Sequence, residues 1–115
     1  MEYMLLVHAD PAGMAKMTET MQAQAMAAYG AYTEALKKAD VLRSSNRLRP
    51  ADTATTVKVR EGKTEVLNGP FIETREQLGG YFLIDVPDLD AALAWAARCP
   101  GASHGSVEVR PIWTM

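Results

Sequence analysis

A chain of 115 residues, 48% of them hydrophobic and 23% charged, can bury one core without metal ions or disulfides, so we expect one domain over residues 1–115. The net charge of −2 argues against a nucleic-acid binder, because such proteins need a basic excess to neutralise phosphates. A single cysteine excludes an internal disulfide, and no apolar run has the length of a membrane-spanning helix, so we expect a cytoplasmic protein with no membrane partner.

The first part of the chain predicts a buried strand followed by a long helix. Residues 3–7 are apolar and end near Asp10-Pro11, which typically opens a turn. Thr18 is the expected N-cap of the helix, with Glu19 in its first turn. A stripe of methionines runs through the start of this region, and we expect it to pack into the core rather than to form an adaptable binding surface. The methionines are Met14, Met17, Met21 and Met26.

The middle of the chain predicts three strands. Residues 41–49 are too polar to be buried on both faces, and alternation would place Arg43, Ser45 and Arg47 on one side. Residues 53–60 and 64–67 alternate around the turn signal Glu61-Gly62-Lys63, which is typical of a hairpin.

The last part of the chain predicts a short helical turn, a strand, a helix and a closing strand. Residues 74–77 have capping-box spacing, and Gly79-Gly80 would end that turn before an apolar strand over residues 81–86. Asp88 is the expected N-cap of the next helix. Its predicted buried stripe is Leu89, Ala92, Leu93 and Ala96, and residues 106–113 form the last strand.

The order of the elements, β–α–β–β(–β)–β–α–β, predicts an α+β, ferredoxin-like βαββαβ protomer. Right-handed crossovers would place both helices on one face of an antiparallel sheet. The other sheet face needs a cover, and in so short a chain we expect a second subunit to supply it. The expected assembly is a two-fold homodimer with its sheets face to face and a pocket between them.

His8, at the end of the first strand, is the candidate catalytic base. An imidazole can accept a proton near neutral pH if it faces a pocket and a carboxylate orients it, and Asp10 or Glu108 could be that carboxylate. A hydrogen-bonded structural histidine is the alternative. His104, between Ser103 and Gly105, is expected to face solvent.

Arg110 and Glu108 on the last strand are the candidate ligand-binding pair. Charged residues rarely enter an interface between sheets unless they are paired or used. Arg110 could bind a ligand carboxylate or pair with a carboxylate across the dimer. Tyr81, which follows two glycines, and Arg47 complete the candidate ligand-binding residues.

No metal or cofactor is predicted. The chain has two histidines and one cysteine, so no metal-ligand spacing recurs, and it has no dinucleotide fingerprint. Gly79-Gly80 precedes a strand, whereas anion-binding loops precede a helix.

Residues 68–76, Asn-Gly-Pro-Phe-Ile-Glu-Thr-Arg-Glu, resemble the signature DGPFAETKE of the YCII-related DGPF-domain family. Residues 77–100 and 107–113 continue the resemblance, which also includes residues 3–6 and 29–32. The resemblance implies a dimeric α/β-barrel of ferredoxin-like protomers. It implies little about activity: the wider superfamily has been suspected of enzymatic function from a His–Asp pair in its cleft, and some members act on small ring-shaped acids or phenols. DGPF members are frequently encoded beside, or fused to, extracytoplasmic-function sigma factors, which indicates a regulatory link by association only.

The signature turn of this chain, Asn68-Gly69-Pro70-Phe71, departs from the family pattern at its first position. Asn68 keeps the local hydrogen bonding that an Asp gives a turn, but it cannot act as a base. If the Asp of the signature shapes the turn, which we favour, nothing is lost here; if it is catalytic, this protein should be impaired.

Two functions follow as hypotheses. One is a cofactor-free lyase or isomerase that moves a proton on a small organic acid, with His8 as base and Arg110 holding the carboxylate. The other is a non-catalytic module that binds a small molecule or a regulatory partner such as a sigma factor.

Overall fold

The computed structural model describes residues 1–114 and contains six strands and three α-helices in that range. Short 3-10 turns precede β3 and β6. In chain order the elements are β1 (Glu2–Ala9), α1 (Pro11–Ala15), α2 (Glu19–Lys38), β2 (Leu42–Arg47), β3 (Thr55–Arg60), β4 (Lys63–Asn68), β5 (Gln77–Asp85), α3 (Leu89–Arg98) and β6 (Ser106–Pro111).

Four strands form an antiparallel sheet in the order β2-β5-β1-β6, which is the ferredoxin-like arrangement. Strands β3 and β4 form a separate two-stranded hairpin inserted between β2 and β5. The predicted α+β fold and βαββαβ order are therefore confirmed.

The core lies between one face of the sheet and the long helices. Alternate residues of the two central strands are buried on this face, and Leu5 and Ile84 have no accessible surface. From α2, Leu36 is fully buried, and the Tyr32 hydroxyl donates a hydrogen bond to the Trp95 carbonyl oxygen over 2.8 Å. These contacts fix both helices on the same side of the sheet.

The predicted helix starts are confirmed by their capping bonds. Thr18 accepts a hydrogen bond from the Met21 amide over 3.1 Å, and Asp88 accepts one from the Ala91 amide over 2.9 Å. Each bond satisfies one of the amide groups that the first turn of a helix leaves without a partner.

The prediction of a helical turn over residues 74–77 is wrong, because β5 already begins at Gln77. Gly80 lies inside this strand rather than after a turn. A side chain there would place its Cβ 2.9 Å from the Asn46 carbonyl oxygen on β2. The glycine therefore allows two strands to approach, a tertiary requirement that local sequence signals do not contain.

The methionine-rich part of the helical region is exposed, so the prediction that it packs into the core is wrong. Met14 on α1 and Met21 and Met26 on α2 keep 47–67% of their surface accessible, and Met17 between these helices is half-buried, so none of the four lies in the core. On α3 the predicted stripe is half right: Ala92 and Ala96 are buried, while Leu89 and Leu93 are exposed.

The alternation predicted for β2 is interrupted. The register with β5 shifts between Leu42 and Ser44, and the Arg43 guanidinium lies 3.6 Å from the Asp85 carboxylate. Arg43 and Arg47 therefore do not share one side.

None of the helices within residues 1–114 is long and apolar enough to cross a membrane.

Candidate functional site

The sheet face opposite the helices, which we call the open face, is covered by no other element of the described chain. Its residues follow from the register, because directly paired residues share a face. Its centre is apolar and half-buried, and polar residues surround this centre. One row across the sheet is Asn46, Tyr81, Leu6 and Glu108; the next is Ser44, Leu83, Met4 and Arg110; and Leu78, His8 and Ser106 lie at one end.

His8, Glu108 and Arg110 meet on this face. The His8 Nε2 atom lies 3.5 Å from Glu108 Oε1, and the Arg110 Nε donates a hydrogen bond to Glu108 Oε2 over 2.7 Å. The Arg110 guanidinium holds the pKa of Glu108 below its usual value, and His8 adds a smaller effect in the same direction. The carboxylate therefore stays ionised and can orient the imidazole.

The histidine is accessible without being fully exposed. Its side chain keeps 29% of its surface, whereas Arg110 keeps 69% and has further N–H groups free to bind an anion. The register of β1 with β5 shifts between Val7 and His8, two residues before the end of β1. Of the two carboxylates considered for His8, Glu108 is the one in contact.

Asp10 has a different role. One of its carboxylate oxygens accepts a hydrogen bond from the Ala12 amide over 2.9 Å and caps α1, and the other lies 3.3 Å from the Arg75 Nε. These contacts hold the Asp10 carboxylate between the start of α1 and the loop before β5.

Tyr81 lies on the open face beside Leu6, on the side away from Glu108. Its hydroxyl accepts a hydrogen bond from Asn46 Nδ2 over 2.8 Å and is 3.4 Å from the Ser44 hydroxyl. The Ser44 and then the Asn46 hydrogen bonds lower the pKa of the Tyr81 phenol. The open face thus has one proton-handling group on each side of its apolar centre.

Two residues near His8 were missed by sequence reasoning. Ser106 lies opposite His8 on β6 and donates a hydrogen bond to Glu76 Oε1 over 2.6 Å. Alternation with Glu108 and Arg110 was the signal that could have placed Ser106 on this face. Glu76 belongs to the loop before β5, so no periodic signal could have found it.

One predicted candidate lies elsewhere. Arg47 pairs with Gly80, which pairs with the buried Val7 on the helix side of the sheet, so it does not join the other ligand-binding candidates. The bulge in β2 that separates it from Arg43 is not visible in the sequence pattern. His104 is exposed, as expected.

The signature turn begins at Asn68, the last residue of β4, and is held by hydrogen bonds of Gly69. Gly69 adopts a φ of 103°, which favours glycine, and its amide donates to the Ala54 carbonyl oxygen over 2.7 Å. Thr56 donates a hydrogen bond to the Gly69 carbonyl oxygen over 2.8 Å. This geometry assigns the turn to Gly69, and the turn-shaping role of Asn68 stays a prediction. Asn68, Gly69 and Pro70 also line a shallow cleft of about 420 Å³, while Phe71 lies exposed 5.0 Å from the Lys58 ammonium.

Within residues 1–114, no three histidine, cysteine or carboxylate side chains gather closely enough to hold a metal ion. The prediction that the protein uses no metal or cofactor stays a prediction.

These features define an α+β protein of ferredoxin-like fold with an open, partly polar sheet face. The chain belongs to the YCII-related domain family, whose model matches residues 1–115. The resemblance inferred from the signature is thereby confirmed.

Two comparisons add to this assignment. The chain is 48% identical over 68 residues to Uncharacterized protein R00369 of Rhizobium meliloti (strain 1021); the match covers 57% of this chain and about half, 55%, of that relative's length. The fold is similar to that of 5-chloro-2-hydroxyhydroquinone dehydrochlorinase from Burkholderia phenoliruptrix AC1100, solved in complex with 2,5-dihydroxybenzoquinone. The TM-score is 0.56 over 99% of this chain and 94% of that chain, at 14% identity, which shows the common fold.

Proposed function

We propose that this protein is a cofactor-free lyase or isomerase that moves a proton on a small organic acid or a hydroxylated ring bound to the open face. The observation that carries the proposal is the contact of His8 and Arg110 with one carboxylate, Glu108, beside an apolar centre. Such an arrangement supplies a base, a group that orients it and a cation for the substrate.

The chemistry follows from the atoms in contact. When His8 Nε2 carries its proton toward Glu108, the other ring nitrogen keeps a lone pair and can remove a proton from the substrate. The imidazolium that forms is stabilised by the ionised carboxylate. Returning the proton to another substrate atom gives an isomerisation, and giving it to a leaving group gives an elimination.

The apolar centre sets the size of the ligand. Tyr81 and Glu108 flank Leu6 on neighbouring strands, so they are about two strand spacings, or roughly 10 Å, apart. A single ring with polar substituents fits between them. A small ring is also the ligand named for the dehydrochlorinase of similar fold, which supports this substrate class.

The proposal includes a second copy of the chain as the cover of the open face. Met4, Leu6 and Leu83 are only half-buried in one chain, and a site for proton transfer works best when water is excluded. We also propose that residues 1–115 form one domain and that the protein is cytoplasmic.

A non-catalytic regulatory module is the second candidate. Asn68 occupies the position of the signature Asp. Phe71, the last residue of the turn, and Ile72 after it keep 68% and 59% of their surface accessible. An exposed apolar pair next to a signature turn suits contact with a protein partner, for which a sigma factor is the candidate.

A thermal-shift screen of small carboxylic acids and phenols, followed by histidine variants, tests the proposal. A ligand at a hundredfold its dissociation constant stabilises the fold by about 2.7 kcal/mol. For a substrate found in this way, His8→Ala should lower kcat by about 10²–10⁴-fold while the melting temperature stays within a few degrees. His104→Ala, which changes the other histidine, should leave kcat unchanged.

The outcomes separate the two candidates. Equal turnover by His8→Ala and His104→Ala would reject the catalytic proposal. Loss of ligand binding in Arg110→Ala supports its role as the anion-binding group, whereas loss of dimerisation in that variant would assign it to the interface. A screen without any ligand would leave the regulatory module as the better candidate, to be tested by pull-down with sigma-factor regions.

A further inference from the structure

The β3–β4 hairpin carries an apolar face that nothing in the described chain covers. Val57 and Val66 are directly paired and Val59 follows on the same face; they keep 60%, 63% and 66% of their surface accessible. The loop residues Glu61 and Gly62 both have positive φ, as a tight two-residue hairpin turn requires. The hairpin is therefore well formed yet presents its valines to solvent.

A two-stranded ribbon of this kind is marginally stable by itself, so its apolar face needs a partner. Its own sheet does not provide one, because the hairpin projects from the sheet edge. The radius of gyration, 16.1 Å, exceeds the roughly 13 Å expected for a compact chain of this length. The described chain therefore leaves this face without a partner.

The accessible surface is large enough for a second copy of the chain to be the partner of this face. The structure exposes 8318 Å², whereas a monomeric protein of 12.5 kDa exposes about 6,200 Å². The excess of roughly 2,100 Å² has the size that one subunit buries in an obligate dimer.

The open face alone cannot account for this excess. The sheet has four strands of six, nine, eight and six residues, so its face has a flat area on the order of 450 Å², which is small beside the excess. The hairpin is a further apolar surface, with three exposed valines on one face. The chain that follows the hairpin enters β5 at Gln77 and Leu78, which pair with Ala9 and His8, so the hairpin leaves the sheet at its His8 end.

We propose that the β3–β4 hairpin of one chain packs its valine face on a second copy of the chain and closes the His8 end of that copy's open face. Each site is then incomplete without the partner's hairpin. This inference rests on the proposed function only in taking the open face as the ligand site; the contact itself is tested without ligand.

Cross-linking between isotopically distinct copies tests the contact. A photoreactive phenylalanine analogue at Val59 is placed in unlabelled chains, which are mixed with heavy-labelled wild-type chains and irradiated. Light–heavy cross-linked peptides that contain residues of the open face support the proposal. The same analogue at Lys58, on the opposite hairpin face, is the control. Cross-links within one chain only, or no more light–heavy product than at Lys58, would overturn the proposal.

A charge placed on the valine face gives an independent measurement. Val59→Glu should weaken self-association, measured by sedimentation equilibrium, at least tenfold relative to Lys58→Glu, since burying the carboxylate is costly. Equal dissociation constants for the two variants would contradict the proposal. Both readouts are free of ligand and turnover, so a failed substrate screen and a failed hairpin contact are distinguishable.

Discussion

Glu108 links the two other residues of the candidate site, and its ionisation is the property of that site most directly open to measurement. The Arg110 guanidinium donates to it over 2.7 Å, and His8 lies 3.5 Å away on its other oxygen. Both groups favour the ionised form and lower the pKa of Glu108. Because the pKa is lower in the folded state, these contacts stabilise the fold above the unfolded pKa, and the contribution is lost as pH falls through the folded pKa.

Arg110→Gln should therefore raise the pKa of Glu108 toward its ordinary value, because the larger of the two causes of its lowering is removed. Carboxyl-carbon titration by NMR in the wild type and the variant measures this shift. Lys38→Gln, an equal charge change in the exposed last turn of α2, is the control and should leave the pKa of Glu108 unchanged. An unshifted pKa in Arg110→Gln would show that the pair does not persist in solution.

At the scale of the elements, the two halves of α2 differ in their contribution to stability. Leu36 is fully buried against the sheet, whereas Met26 keeps 67% of its surface accessible. Leu36→Ala should destabilise the fold by about 2–5 kcal/mol, because it removes buried methyl groups and leaves a cavity. Met26→Ala should change the free energy of unfolding by less than about 0.5 kcal/mol in a monomeric background. Urea unfolding followed by circular dichroism compares them, and equal losses would contradict the observed packing.

The sequence predicted those elements whose signals are local. Thr18 and Asp88 mark helix starts by side-chain bonds to amides three residues ahead, so the helices could be placed from a few neighbouring residues. The prediction at Gly80 failed for the opposite reason. A glycine is needed there because the Asn46 carbonyl oxygen of another strand leaves no space for a side chain. The exposed methionines misled because periodicity identifies an apolar face but not what covers it.

The candidate site was predictable where strand alternation applies. Glu108 and Arg110 were placed on one face of β6 by their spacing of two, and the register with β1 brings His8 beside Glu108. The contacts of Tyr81 with Asn46 and Ser44 depend on the register between β2 and β5, including its bulge, which no single-strand pattern determines.

At the scale of the whole molecule, changing one residue at the centre of the open face tests whether the protein is a dimer. Leu83 pairs with Met4 and Ser44 there, and a carboxylate at this position would be buried without a partner between two sheets. We expect the wild type to sediment at twice 12.5 kDa and Leu83→Glu at 12.5 kDa. Leu93→Glu, on the exposed side of α3, should sediment as the wild type does.

The same dimer should appear in the thermal stability. Because association stabilises only the folded state, the melting temperature of the wild type should rise with protein concentration, while that of Leu83→Glu should stay constant. Differential scanning fluorimetry over a hundredfold range of concentration measures both. A wild type that sediments at 12.5 kDa and melts at a concentration-independent temperature would reject the second copy as the cover of the open face. The ligand site would then have to work as an open surface, on which water competes for every hydrogen bond that Arg110 and Tyr81 offer.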